Sequence, residues 1–431
     1  MMASDVCNQM YDLARRHPGE DVWQTYDGVR TLVVQHPDSA MRVLASAHTN
    51  FEKTLPWMRQ SLGRSRVSET GDSWVFRRDL TQGHFTHFDK DHACARSIAH
   101  ARNSLDALCA CSAQGKATLD DNLFRSVTMS VLCDVFLSMD FQSSRIDPGL
   151  IARMMDFGSH FAFVSPGGVH ALSSADNREM VRTRSLLLDQ FRIFRTTNPP
   201  QDSLLASLQA ADRDPANDFV LEQELLAFLA AGSESSACTL GWACYLLARE
   251  PVLQDQLRSA VMALDDDLSW ASLAACLPLK AFLAETLRLF PPSPLVTRRA
   301  LQPDTLGPHV IPAGQLIVVS LIGVCHAPGS RQDPWRVDLA GASHGPCAGT
   351  RMPFSVGPRI CGGKQFALVE LMAVLATYLR EVRFSLTDPA PPRYYWKTQM
   401  LREGGQPVAV HPLRQPQRFA RANAAAIAPD A

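Results

Sequence analysis

The stretch Phe354-Ser355-Val356-Gly357-Pro358-Arg359-Ile360-Cys361-Gly362-Gly363-Lys364-Gln365-Phe366-Ala367 constrains what this chain can fold into more than any other. It sets one cysteine between a Gly/Pro-rich loop and a strongly apolar pattern. Leu368, Leu371, Val374, Leu375 and Leu379 recur at helical spacing, which predicts a helix from about Gly362 to Val382. A thiol placed there lies near the positive end of the helix dipole and meets unpaired N–H groups, a setting that favours a thiolate. Gly357, Gly362 and Gly363 let the backbone pass close to something large and flat. A lone cysteine before a core helix is most often simply buried. The pattern around Cys361 is what sets it apart.

That pattern reads as a holder for a metal whose axial ligand is sulfur, and haem iron leads because thiolate is among its axial ligands. Phe-x-x-Gly-x-Arg-x-Cys-x-Gly with a following Ala resembles the haem-binding signature of the cytochrome P450 family. Its fixed positions are Phe354, Gly357, Arg359, Cys361, Gly363 and Ala367. The resemblance implies that Cys361 ligates the iron, that Arg359 pairs with a haem propionate, and that Phe354 lies against the sulfur side of the ring.

Composition narrows the class. The 431 residues carry 42 Lys+Arg against 43 Asp+Glu, a balance that gives no footing for nucleic-acid binding. Eleven cysteines, an odd number with no CxxC pair, argue against a disulfide framework or a zinc site and for a reducing compartment. No apolar run is long enough to span a bilayer, and residues 1–16 show no signal-peptide core. The expectation is a cytoplasmic monomer without a membrane anchor.

Further motifs follow the same family order. Trp74-Val75-Phe76-Arg77-Arg78 puts an indole and a guanidinium one helical turn apart on one face, where both could meet a carboxylate. The resemblance assigns Trp74 and Arg78 to a propionate. The segment 218–250 reads as the longest helix, stopped by Pro251. At its middle Ala230-Ala231-Gly232-Ser233-Glu234-Ser235-Ser236 offers either a close helix crossing or a place to kink. The family has Ala-Gly-x-(Asp/Glu)-Thr here. Ala231 is then a pocket residue, and Glu234 and Ser235 match its acid and its alcohol, with Ser in place of Thr. Glu285-Thr286-Leu287-Arg288, before Pro291-Pro292, resembles the family's buried Glu-x-x-Arg pair. The third member of that support, an Arg in the family, falls near Gly341; Arg336 and Arg351 are its candidate replacements. Leu295, Val296 and Thr297 are expected at the substrate, with Arg298 on a propionate and Arg299 competing for that role.

Elsewhere the chain reads as a hairpin over Val22–Val34 around Asp27-Gly28, an irregular mobile loop at 50–72, and helical patterns at 88–140, 145–163 and 174–196. Ser165-Pro166-Gly167-Gly168 breaks the pattern after Phe157, Phe161 and Phe163, a candidate roof over an apolar substrate. Helix is expected at 273–290 and short strands at 310–319. Residues 413–431 read as a disordered tail after a catalytic body over 1–412.

The fold implied by the resemblance is mainly α: a long central helix and the cysteine-loop helix sandwich the haem, with small β-sheets at one side. The activity implied is that of a soluble, bacterial-type haem-thiolate monooxygenase of secondary metabolism. It puts one atom of O2 into an apolar small molecule, with Glu234 and Ser235 relaying protons. Peroxide-driven chemistry, isomerisation or dehydration, and a non-catalytic haem sensor are the alternatives. The chain has no Gly-x-Gly-x-x-Gly after a strand, so electrons from NAD(P)H are expected through a ferredoxin or flavodoxin-type partner. That partner would dock on a basic patch of Lys364, Arg77 and Arg380.

Overall fold

The computed structural model describes residues 5–413 apart from 27, 55, 114–117, 163–173, 330–332 and 341–351. The glycine break at 165–168, Phe163, Gly341, Arg351 and the tail beyond 413 therefore lie outside the described residues.

Helices dominate. In chain order they are α1 (Val6–Arg16), α2 (Pro37–Met41), α3 (Pro56–Leu62), α4 (Gly71–Thr86), α5 (Lys90–Ala113) and α6 (Asp121–Leu137). After these come α7 (Pro148–Ala162), α8 (Ser174–Phe191), α9 (Ile193–Thr196), α10 (Leu204–Arg213) and α11 (Leu221–Arg249). The last five are α12 (Pro251–Met262), α13 (Trp270–Ala275), α14 (Leu277–Leu289), α15 (Leu321–Cys325) and α16 (Lys364–Glu381). Local chemistry sets many of the ends. Asp120 accepts from the Asn122 N–H and caps α6; Ser203 does the same for α10 through Ala206. The 273–290 pattern divides in two, because Cys276 leaves helical geometry before Pro278 restarts the chain as α14.

Strands β1 (Val22–Tyr26), β2 (Val29–Val34), β3 (Phe51–Lys53), β4 (Leu295–Ala300) and β7 (Leu316–Ser320) form one sheet in the order β1-β2-β7-β4-β3. Only β2–β7 is parallel within it. The pairs β5–β6 (Asp304–Leu306, His309–Ile311), β8–β11 (Val382–Leu386, Val408–Pro412) and β9–β10 (Tyr394–Lys397, Gln399–Arg402) stand apart. The expected Val22–Val34 hairpin forms, with Val22 opposite Val33.

The main core lies between α5, α6, α11 and α16, and a smaller one lies against the five-stranded sheet. In its second half α11 is buried on nearly every face, from Ser236 to Ala248, as expected of a helix apolar all round. Gly232 is needed where α11 crosses α6: a Cβ there would lie 2.7 Å from a methyl of Leu132. The close-crossing reading of this glycine thus holds. Residues 50–72, expected to be irregular and mobile, instead contain β3 and α3 and are stitched down. Glu69 accepts from Arg64 and Ser73, and Ser68 donates to the Gly63 carbonyl.

Candidate active site

The cysteine loop is shaped by backbone that few residues adopt. Ser355 and Gly357 have φ of 60° and 75°, and a Cβ on Gly357 would overlap the Leu44 carbonyl oxygen. The Cys361 N–H donates to the Phe354 carbonyl at 2.9 Å, closing the loop, and α16 starts three residues later with Gly363 at its N-cap. Cys361 opens to a cavity of about 380 Å³ lying between this loop and α11. Its surroundings are nevertheless of low polarity, and burial pushes the thiol above its ordinary value. The Gly363 N–H and the Arg66 charge pull it back down, as do the charge and N–H of Lys364. The helix terminus alone therefore does not outweigh burial, contrary to the sequence expectation. A coordinated metal would, since a ligating thiol is deprotonated outright.

The cavity has a cationic end and an apolar end. At the cationic end Arg359 stacks on Trp74, with its guanidinium 3.8 Å from the ring centre, and donates to the Glu69 carbonyl at 3.0 Å. Lys53 of β3 pairs in register with Arg298 of β4, and its Nζ donates to the Val67 carbonyl at 2.5 Å. Burial, with Arg298 and Arg359 nearby, lowers the Lys53 pKa to about 7. Burial also lowers Arg298 and Arg359 to about 10 each; Arg359 adds to the first shift and Arg66 to the second. The only carboxylate among the described residues of the wall is Glu224. It already faces Arg77 at 3.2 Å and accepts the Arg66 N–H, and burial lifts it to about 7. At the apolar end Phe85, Phe136, Phe228 and Phe366 form an edge-and-stack cluster with centroids 4.8–5.8 Å apart. Met155, Leu204 and Leu208 line it as well. Phe157 is not on the wall, and the Phe161 side chain is outside the described residues.

These residues fit haem. A thiol faces the cavity, a Cβ on Gly363 would meet nothing within 4 Å, and the cations Lys53, Arg298 and Arg359 would neutralise the carboxylates of a haem.

On α11, Ala231, Gly232, Ser235 and Ser236 face the cavity. The Ser235 hydroxyl donates to the Ala231 carbonyl at 2.9 Å. Glu234 is not on the wall: its carboxylate points to α6 and pairs with Arg125, both side chains buried. Val296, Phe354, Trp74 and Gly363 reach the cavity; Leu295, Arg78 and Arg298 do not. Arg298 is buried and donates to the Thr297 carbonyl at 2.9 Å, and Arg78 lies 5.2 Å from the Trp74 ring while bonding Asp79. Of the expected docking patch, Arg77 is buried against Glu224, and Arg380 is spent on the carbonyls of Val261, Leu264 and Asp265. Among the three, that leaves Lys364, which hovers 5.8 Å from the Phe354 ring.

Glu285 and Arg288 form a bidentate pair at 2.8 and 3.0 Å with both side chains about 1–2% exposed. Arg288 also donates to the Pro334 and Arg336 carbonyls, and Glu285 accepts the Asp338 N–H at 3.0 Å. Arg336 thus contributes its carbonyl; its side chain is 84% exposed beside Asp333. Sequence reasoning missed Lys53, Arg66 and Arg125. Each reaches its place through sheet register, a stitched loop or a helix crossing, which no local pattern announces.

A mainly helical body, with a cysteine loop and a long helix facing each other across a cavity, is the architecture of a haem-thiolate enzyme. The family model for cytochrome P450 matches residues 4–404, and the chain belongs to that family of monooxygenases. It is 26% identical over 413 residues to cytochrome P450 4X1 of Rattus norvegicus, covering 86% of this chain and 80% of that one. It is 29% identical over 430 residues to cytochrome P450 4F12 of Homo sapiens, at 89% and 80% coverage. Over 261 residues it is 32% identical to leukotriene-B4 omega-hydroxylase 3 of Mus musculus, at 57% and 49%. The bacterial-type expectation finds no support among these relatives. Among the described residues no helix is long and apolar enough to cross a membrane.

Proposed function

We propose that the chain hydroxylates an elongated apolar molecule near its end, using haem held through Cys361. The single observation that carries this reading is the cavity itself, with a thiol at its floor, cations at one edge and an aromatic, aliphatic enclosure opposite. One relative is named for omega-hydroxylation, which favours attack on a chain terminus over attack on a ring interior.

In this reading Cys361 would ligate the iron, and Arg359, Trp74, Lys53 and Arg298 would hold the haem carboxylates. Haem supplies the activation of O2 and the oxidising equivalent. The protein does the rest. Phe85, Phe136 and Phe228 exclude water and align the substrate. Ser235 presents a hydroxyl at the cavity wall, and Ala231 leaves room beside it. Glu285 and Arg288 hold the backbone at 334–338. Because Glu234 is tied to Arg125, the expected acid–alcohol relay reduces to its alcohol. That specific feature favours a peroxide-driven reaction as the second reading.

Electrons come from NAD(P)H through a separate redox protein. A cytoplasmic, reducing location accords with the described cysteines, nine of which are free thiols. The catalytic body is placed at 1–412.

The experiment is turnover of reconstituted holoenzyme on a chain-length series of apolar substrates, with and without added reductase, and with peroxide alone. Terminally hydroxylated product that requires reductase supports the proposal. Product from peroxide alone, with none from NADPH and reductase, moves the chain to the second reading. No product of either kind overturns both.

A further inference from the structure

Arg184 lies on the inward face of α8. Met180, Thr183, Leu187 and Phe191 share that face at helical spacing and are buried. Arg178 and Arg182 of the same helix are exposed, so their charges rest in water. Arg184 is half-buried, and its Nε is buried without a hydrogen-bond partner among the described residues. Burial lowers its pKa, and no carboxylate among the described residues acts on it. Elsewhere the chain does not leave such groups bare: Arg77, Arg125 and Arg195 hold Glu224, Glu234 and Glu222 respectively. A cationic side chain that only snorkelled to water would keep its head wet. A buried, unsatisfied N–H donor instead costs stability until something pairs with it.

The guanidinium stands where α8 meets the end of α3. Met58 and Leu62 of α3 line the cavity, and Gly63 follows directly. Gly63 has φ of 90°, and a Cβ on it would lie 2.8 Å from Arg184 Nη2. The same Cβ would overlap the side-chain amide of Gln223 at the start of α11. Gly63 thus lets two donor groups approach one another. Gln223 Oε1 accepts the Arg64 N–H at 2.7 Å, so the amide N–H2 is the end left to donate. The nearby acids are already taken. Glu69 is held by Arg59 and Arg64, and Asp218 by Arg64. Arg184 is the charge left over, one residue beyond the α3 wall of the cavity.

We propose that Arg184 is a specificity residue for the far end of the substrate: with the Gln223 amide it binds a carboxylate head group, while the other end of the molecule lies toward Cys361. A guanidinium fork takes a planar carboxylate through two parallel hydrogen bonds. One spare charge suits a singly charged head better than a phosphate of about −1.5 to −2. Held by its head, the molecule lies one way round, and its apolar terminus is the end presented for reaction. The inference deepens the reading of an elongated apolar substrate and rests on it.

The test is calorimetric titration of holoenzyme at pH 8 with hexadecanoic acid and with its methyl ester, which match in chain length and differ in charge. The wild type should bind the acid about tenfold to hundredfold more tightly, the span of a hydrogen bond to a charged group. Arg184→Leu should lose that preference, and Arg184→Lys should keep part of it. Gln223→Glu keeps an acceptor for the Arg64 N–H but sets a built-in carboxylate against Arg184, so it too should lose the preference. Equal affinity for acid and ester in the wild type overturns the proposal, as does an acid preference that survives Arg184→Leu. Should that variant fail to fold, survival of the preference in Gln223→Glu overturns the proposal equally. Selective binding of the acid without terminally hydroxylated product would sink the reading of the reaction and leave the head-group site standing. Binding of neither probe overturns both.

Discussion

Arg125 of α6 holds Glu234 of α11 through two hydrogen bonds, Nε to Oε1 at 2.5 Å and Nη2 to Oε2 at 2.9 Å, with both side chains about 7% exposed. The acid of the Glu-Ser pair is therefore a clamp between two core helices. Glu234→Ala or Arg125→Ala leaves the other charge buried and unpaired, so either should lose about 3–5 kcal/mol of stability. Replacing both by Leu should restore a large part. Urea unfolding of the three variants checks this; equal, small losses in both single variants would show that the pair is not energetically buried.

Ser235 carries the alcohol on the cavity wall. Ser235→Ala should leave substrate affinity nearly unchanged, consume reductant, and release more peroxide and less product. Ser235→Thr should tighten coupling, because the added methyl restricts the rotamers. Product and peroxide per reductant consumed are the readouts. Identical ratios in the three proteins would place proton delivery elsewhere on the wall.

Much of this site was legible because its parts are local. The spacing from Phe354 to Ala367 names the loop, and Glu285 with Arg288 lie one turn apart on α14, so their pairing follows from helix geometry alone. The helix after the loop, expected from about Gly362 to Val382, spans Lys364–Glu381. What failed to show was every contact that depends on tertiary approach. Glu234 sits in the right pattern, but its partner is 109 residues upstream. Arg77 looked like an exposed cation one position from Arg78, until the packing of α4 turned it inward onto Glu224. Lys53 meets Arg298 only through strand register.

The Glu285–Arg288 pair anchors the 334–338 backbone. Glu285→Ala or Arg288→Ala should prevent stable haem incorporation, at a cost of about 3–5 kcal/mol for the charge left behind. Holoprotein yield and melting temperature measure it, and ordinary values for both variants would contradict the support role.

Glu370 has a folded pKa raised to about 8, above the unfolded carboxyl value. The folded state then binds more protons than the unfolded state between about pH 4.3 and pH 8. Its contribution is fully present below that window and is lost as pH rises through it. Glu370→Gln should remove this slope. The variant should gain on the wild type in melting temperature from pH 5 to pH 8; parallel pH profiles would mean that Glu370 titrates normally.

The central claim is that Cys361 binds haem iron as a thiolate across the cavity from α11. The direct measurement is the absorption spectrum of freshly reduced holoprotein under carbon monoxide. The account predicts the strongly red-shifted Soret band of thiolate-ligated haem in the wild type and its loss in Cys361→Ala. A wild-type protein that binds haem yet never shows that band, or a Cys361→Ala variant that keeps it, would contradict the account.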